Sequence, residues 1–108
     1  MIQLVVTETE GQLFVTVAES RIDAAIATRF KDRMKEIVGR GRKPVVMDMR
    51  RVDFMDSSGL GAMIAVRKAL PETFPLILDG LTPNVERVFR LTRMDSVFQI
   101  RPAPTPQE

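Results

Sequence analysis

Two short, mainly apolar runs constrain this chain most: "PVVMDM" at residues 44–49 and "PLILDG" at residues 75–80. Runs of this length without polar alternation suit strands buried on both faces, the condition of central strands in a parallel sheet. Parallel neighbours cannot be joined by a tight turn, so the chain between them must cross over, usually as a helix. The intervening "LGAMIAVRKAL", residues 60–70, fits: it is apolar nearly all round until Arg67 and Lys68, and Pro71 follows. It predicts a helix buried most deeply in its N-terminal half.

The same alternation extends in both directions. Ile2, Leu4 and Val6, then Leu13, Val15 and Val17, recur with period two on either side of "ETEG", which predicts a hairpin over residues 1–18 with Gly11 free to take positive φ. Asp23 offers an N-cap to a first helix. Its inner stripe is Ile26, Phe30, Met34, Ile37 and Val38, with Arg29, Lys31, Asp32 and Lys35 facing out and Gly39 and Gly41 as stops. Thr82 and Pro83 predict the cap and first position of a third helix with an inner stripe of Val85, Val88 and Phe89. Residues 97–100 complete the order ββαβαβαβ. The expected fold class is a single α/β domain over residues 1–100, with a mixed, mostly parallel sheet, right-handed crossovers and about three helices. A Pro-rich, loose tail is expected over residues 101–108.

Composition narrows the chemistry. The 108 residues are 44% hydrophobic with a net charge of +2, which suits a globular domain and gives too little charge to argue for nucleic acid. "GRGRK", residues 39–43, reads as a solvated basic loop. There is no histidine and no cysteine. The usual general base, the usual metal ligand and any thiol chemistry are therefore missing, and no loop gathers carboxylates for a metal. The expectation is a chain without metal or cofactor. No apolar run is long enough to span a bilayer, and "MIQLVVTETE" lacks the basic start of a signal peptide, so the expected localisation is cytoplasmic, away from membranes.

The one stretch that asks for a functional reading is "VDFMDSSGLGAM", residues 52–63, where Ser57 and Ser58 stand between Asp56 and Gly59 at the start of a helix. Three readings compete. As a nucleophile, either serine lacks a histidine base, the glycine spacing of a nucleophile elbow is absent, and Lys68 lies about three helical turns away. As a phosphate cradle, Gly59 and Gly61 lack the third glycine of a dinucleotide loop and the lysine of a P-loop, and close packing of the helix start explains small residues better. As a cap, Ser57 would accept a helix amide, worth ~1 kcal/mol, and its hydroxyl could also be a modification site, since helix N-termini favour anions.

"VVMDMRRVDFMDSSGLGAMIAVRKAL" resembles the central strand, phosphorylation loop and second helix of the STAS family, in particular its small bacterial branch of anti-sigma factor antagonists. "SRID", residues 20–23, resembles the loop before that family's first helix, with Ser20 where glycine is common. "LTPNVERVFRLTRMDSVFQI" resembles its last helix and strand. The likeness runs from about residue 2 to residue 100. Glycine is common in the family near Arg93, and many members carry a further C-terminal helix where this chain has its Pro-rich tail, which leaves less cover on one sheet face.

The resemblance implies partner switching. An unphosphorylated antagonist binds an ATPase-fold serine kinase that is also an anti-sigma factor, and phosphorylation of the serine after the motif aspartate, Ser57 here, releases it. A serine phosphatase acting on phospho-Ser57 resets the cycle. The implied role is therefore that of a non-enzymatic adaptor, a monomer or weak dimer, with no nucleic acid as a direct partner. Asp56 is expected to shape the loop and its field, with Ser58 supporting it by hydrogen bonding. Gly59, Leu60 and Gly61 complete the loop, and Asp23 and the turn after Leu78 flank the docking surface. Plainer readings stand beside these: Asp23 as a cap only, Asp48 as a structural carboxylate, Met55 and Met63 as core. Relatives of the fold also serve as accessory modules of transporters and lipid-transport systems or as non-sigma signalling regulators, which is the alternative reading.

Overall fold

The structure is a computed structural model that describes residues 2–102. Its elements in chain order are β1 (Leu4–Glu8), β2 (Leu13–Val17), β3 (Arg21–Ile22), α1 (Ala27–Gly41), β4 (Val45–Asp48), β5 (Phe54–Met55), α2 (Ser57–Ala69), β6 (Leu76–Leu81), α3 (Pro83–Leu91), a 3₁₀ turn (Met94–Ser96) and β7 (Gln99–Pro102). The main sheet runs β1-β2-β4-β6-β7. β1 and β2 are antiparallel, and the β2/β4, β4/β6 and β6/β7 pairs are parallel. The two apolar runs thus form the middle of a mixed, mostly parallel sheet. The single α/β architecture with three helices agrees with the sequence reading.

Register explains the core. Leu13, Val45 and Leu76 stand side by side, as do Val15, Met47 and Leu78, and all six are buried. They pack into one cluster with Phe30, Met34 and Val38 of α1, Ala62, Met63 and Val66 of α2, and Val85 and Phe89 of α3. The next row, Phe14, Val46, Ile77 and Gln99, lies on the opposite face. Phe14 there is 39% exposed, and Val46, although buried, stands apart from the main cluster.

Several local expectations need correction. Gly11 does not take positive φ; among the described glycines only Gly80 does, at 75°. The hairpin turn closes instead through the Thr9 N–H, which donates to the Gln12 carbonyl at 2.9 Å. Gly39 lies inside α1 and Gly41 is its last residue, while the reversal falls on left-handed Arg42 (φ 49°). A glycine costs a helix only ~1 kcal/mol, which the buried Phe30–Val38 stripe outweighs.

α1 also starts later than Asp23 suggests. Its N-cap position is Ile26, without a side-chain bond, and Asp23 caps the preceding turn, where Oδ1 accepts from the Ala25 N–H at 3.1 Å. α2 is less buried all round than its composition implies: Gly61 is exposed, and Ile64 and Ala65 are half-buried. It ends at Leu70 in extended conformation, as the residue before Pro71 must. Thr82 is the N-cap of α3 and Pro83 follows, but the Thr82 hydroxyl donates to the Val52 carbonyl at 2.9 Å rather than capping the helix.

The last strand begins at Gln99, two residues beyond expectation, because left-handed Arg93 (φ 61°) and the 3₁₀ turn intervene. β7 takes in Arg101 and Pro102; the rest of the expected tail, residues 103–108, lies outside the described residues. A small separate sheet, β3 paired in parallel with β5, was not anticipated.

Candidate functional site

Asp56 organises the surroundings of the two serines. It is extended (φ −101°, ψ −172°), the geometry of an N-cap, and its Oδ1 accepts the Gly59 N–H at 2.9 Å. The expectation that Ser57 is the cap is therefore wrong by one residue: a carboxylate outcompetes a hydroxyl as acceptor for helix amides. The second oxygen, Oδ2, accepts the Ala24 N–H at 3.1 Å, and so ties the loop before α1 to the start of α2. The Gly59 amide, with smaller contributions from the Ala24 and Ser58 amides, outweighs desolvation and holds the Asp56 carboxyl below its usual value of 3.8.

The small sheet fixes the same junction. Arg21 stands opposite Phe54 and Ile22 opposite Met55. The Asp53 N–H donates to the Ser20 carbonyl at 2.8 Å. Gly59 is fully packed: a methyl there would overlap the Ile22 carbonyl oxygen and come within 2.9 Å of Met55 Cγ. The reading of Gly59 as a close-packing residue holds. That reading fails for Gly61, which is exposed and faces open space.

With Asp56 as cap, Ser57 and Ser58 occupy the first two helical positions, and both are exposed. Neither hydroxyl makes a hydrogen bond among the described residues, so no bond of Ser58 to its neighbours accompanies the loop. Ser58 borders a groove of about 300 Å³ between α1 and α2, lined also by Thr28, Lys31, Gly61 and Ala65. Leu60 is half-buried against the core, and Met55 and Met63 are buried, which supports the packing reading of both methionines. Asp48 Oδ1 accepts the Arg50 N–H at 3.1 Å, a structural role. No loop follows Leu78, because β6 runs on to Leu81; the turn that approaches the site comes three residues later, where Thr82 bonds to Val52 and the Asn84 side chain donates to the Asp53 carbonyl at 3.4 Å.

Asp23, Asp56 and the serines are thus neighbours, but two residues of the same surface escaped the sequence. Arg21 lies over the Phe54 ring with its guanidinium carbon 4.2 Å from the ring centroid, and its Nε is 3.3 Å from Asp23 Oδ2. Two-residue strands are too short to show a period, so nothing in the sequence pairs these side chains. Among the described residues no cluster of acidic side chains could hold a metal ion, and no helix is long and apolar enough to cross a membrane.

The model of the STAS domain matches residues 3–106. The chain belongs to the STAS domain family. This STAS domain is 28% identical over 81 residues to the anti-sigma-B factor antagonist of Listeria monocytogenes, covering 74% of this chain and 71% of that one. Its fold is similar to the crystal structure of an anti-sigma factor antagonist from Mycobacterium paratuberculosis, at 26% identity and a TM-score of 0.77 over 94% of this chain and 86% of that one. It is also similar in fold to SpoIIAA of Bacillus in its phosphorylated form, at 19% identity and a TM-score of 0.66 over 93% and 90% of the two chains.

Proposed function

We propose that this STAS domain is an anti-sigma factor antagonist that works by partner switching. In its unphosphorylated form it binds an ATPase-fold serine kinase that is itself the anti-sigma factor. The kinase transfers the γ-phosphoryl group of ATP to Ser57 Oγ, ADP leaves, the hydroxyl proton is lost, and the complex separates. A serine phosphatase hydrolyses phospho-Ser57 and returns the free hydroxyl. The domain itself performs no catalysis, and its place is the cytoplasm. The names of the relatives support the role; both serine hydroxyls are exposed and unbonded, and the single observation that carries the assignment to Ser57 rather than Ser58 is its place directly after the fixed Asp56 carboxylate.

The physical basis is electrostatic. Asp56 already takes the Gly59 amide, so a phosphate on Ser57 meets a helix start whose cap is filled. It adds about −1.5 to −2 charges next to a carboxylate that stays ionised. The fold loses no hydrogen bond, because the Ser57 hydroxyl makes none among the described residues, whereas a partner pressed against a neutral serine must desolvate the new charge.

The test uses the purified cognate kinase and ATP. Mass spectrometry should find one phosphate, absent in Ser57→Ala; phosphate mapped to Ser58 alone would sink the assignment. In calorimetric titration Ser57→Ala should bind nearly as wild type and Ser57→Glu about a hundredfold more weakly, a difference of ~2.7 kcal/mol. Both should melt close to wild type. Recovery of a membrane transporter complex in place of a soluble kinase would favour the accessory-module alternative.

A further inference from the structure

Besides the serines, the surface around Asp56 carries an exposed cation lying over an exposed aromatic ring. Phe54 is 39% exposed, and the Arg21 side chain is 58% exposed. The two stand directly opposite each other in a sheet of two residues per strand, so the pairing is set by backbone register. Arg21 Nε is turned towards Asp23 at 3.3 Å.

The hydrogen bonds around this pair divide unevenly. The carboxylates nearby are occupied by the domain's own donors: Asp23 by the Ala25 N–H and Arg21, and Asp56 by the Gly59 and Ala24 amides. Asn84 approaches Asp53 at 3.5 Å. By contrast, Nε makes the only hydrogen bond of the Arg21 side chain among the described residues, and the two terminal amino groups have no acceptor there. A guanidinium held over a ring, with Nε directed to one carboxylate and its far edge open, is arranged to take a second, planar, two-oxygen acceptor. Arginine and aromatic side chains are also the residue types that dominate protein interfaces.

We propose that Arg21 and Phe54 form the specificity anchor of the docking surface, and that the occupant is an aspartate or glutamate side chain of the kinase, its carboxylate on the open edge of Arg21. The inference rests on the partner-switching reading. It assigns a sign to the recognition: the kinase presents an acidic residue beside the surface that covers Ser57. Phosphorylation then acts twice. It places negative charge against the covering surface and draws Arg21 away from its partner carboxylate.

The experiment measures binding of the purified cognate kinase by calorimetry, with a thermal melt of each variant. Ser57→Glu serves as the reference for the switch itself. Arg21→Glu should weaken binding by about thirtyfold, with a smaller defect at high salt. Arg21→Lys keeps the charge but loses the planar fork, and should weaken it by about tenfold. Phe54→Leu keeps an apolar side chain without the ring face and should cost about threefold. Melting temperatures should stay near wild type. Reversal of one exposed acidic residue of the kinase to lysine should restore binding to Arg21→Glu.

If Ser57→Glu weakens binding while Arg21→Glu binds as wild type, the anchor is wrong and the switch stands. Tighter binding by Arg21→Glu, or failure of every kinase charge reversal to restore it, also overturns the anchor. If Ser57→Glu binds as wild type, the switch reading fails and the anchor with it.

Discussion

Two turns of this STAS domain do similar geometric work by different means. Residues 53–59 lead into α2, and residues 91–99 lead out of α3 towards β7. The first is held by directed polar geometry: both oxygens of Asp56 receive amides from two segments, and Gly59 lets the helix start touch the Ile22 carbonyl. The second joins an aromatic contact to bonds among its own residues: the Thr92 hydroxyl donates to the Val88 carbonyl at 2.7 Å and the Ser96 hydroxyl to the Arg93 carbonyl at 2.9 Å. Phe98, 3% exposed, meets Phe89 edge-on with ring centroids 5.4 Å apart. The same turn holds left-handed Arg93 and leaves Leu91 77% and Val97 43% exposed. Bonds between distant segments fix the orientation that the proposed phosphoacceptor needs, whereas bonds within one turn and a ring contact are enough to return a chain to the sheet.

The most disruptive way to probe this contrast is Phe98→Ala. Loss of a buried ring from the distal turn should cost about 3–4 kcal/mol in chemical denaturation. Kinase binding by the fraction that remains folded should be unchanged. A loss under 1 kcal/mol would mean that the turn is held by something other than the Phe89 contact.

Gly59→Ala should cost about 2–3 kcal/mol, since the methyl must push apart two backbone segments, more than offsetting the helix propensity it adds. Unlike Phe98→Ala, it should also impair phosphorylation of Ser57, measured as rate at saturating kinase. Equal phosphorylation rates would show that the junction does not position the serine.

Asp56→Asn keeps an acceptor for the Gly59 amide but sets a donor against the Ala24 N–H. It should lower the melting temperature by several degrees. The effect is pH-dependent. The folded-state pKa of Asp56 lies below the usual 3.8, so its ionised form contributes stability above the unfolded value, and that contribution is lost as pH falls through the folded value. Melts of wild type and Asp56→Asn should therefore differ at neutral pH and converge only as pH falls from 3.8 through the lower folded value. A difference that persists at lower pH would assign the effect to shape rather than charge.

The smallest effect is a gain. Arg93→Gly relieves a left-handed residue (φ 61°) and should stabilise the domain by about 0.5–1 kcal/mol, read as a rise in melting temperature. A fall would mean that the Arg93 side chain contributes packing or charge worth more than the strain.

How far the sequence could be read differs between the two turns for the same physical reason. "DSSGLG" brings together a cap, a helix start and a close-packing glycine within a few residues, all local effects, and so the site was legible there. Even so, the cap fell on Asp56 and not Ser57, because a carboxylate is the stronger acceptor for the Gly59 amide and its second oxygen meets the Ala24 N–H. At the distal turn, "VFQI" has the apolar character of a strand, yet Val97 and Phe98 belong to the approach. Phe98 is drawn to Phe89, and strand pairing waits until Gln99 meets Ile77.

By itself the sequence determined the order of the five main-sheet strands and the three helices, the mixed and mostly parallel sheet, the inner stripes of the helices and the loop that carries the serines. These follow from hydrophobic period and from turn chemistry, which act over a few residues. Only the tertiary structure decided that Asp56 joins two loops 32 residues apart, that Asp23 caps a turn rather than a helix, and that Arg21 lies on Phe54. Each of those depends on which distant segments the packed core brings together, and a two-residue strand carries no period from which that neighbour could be read.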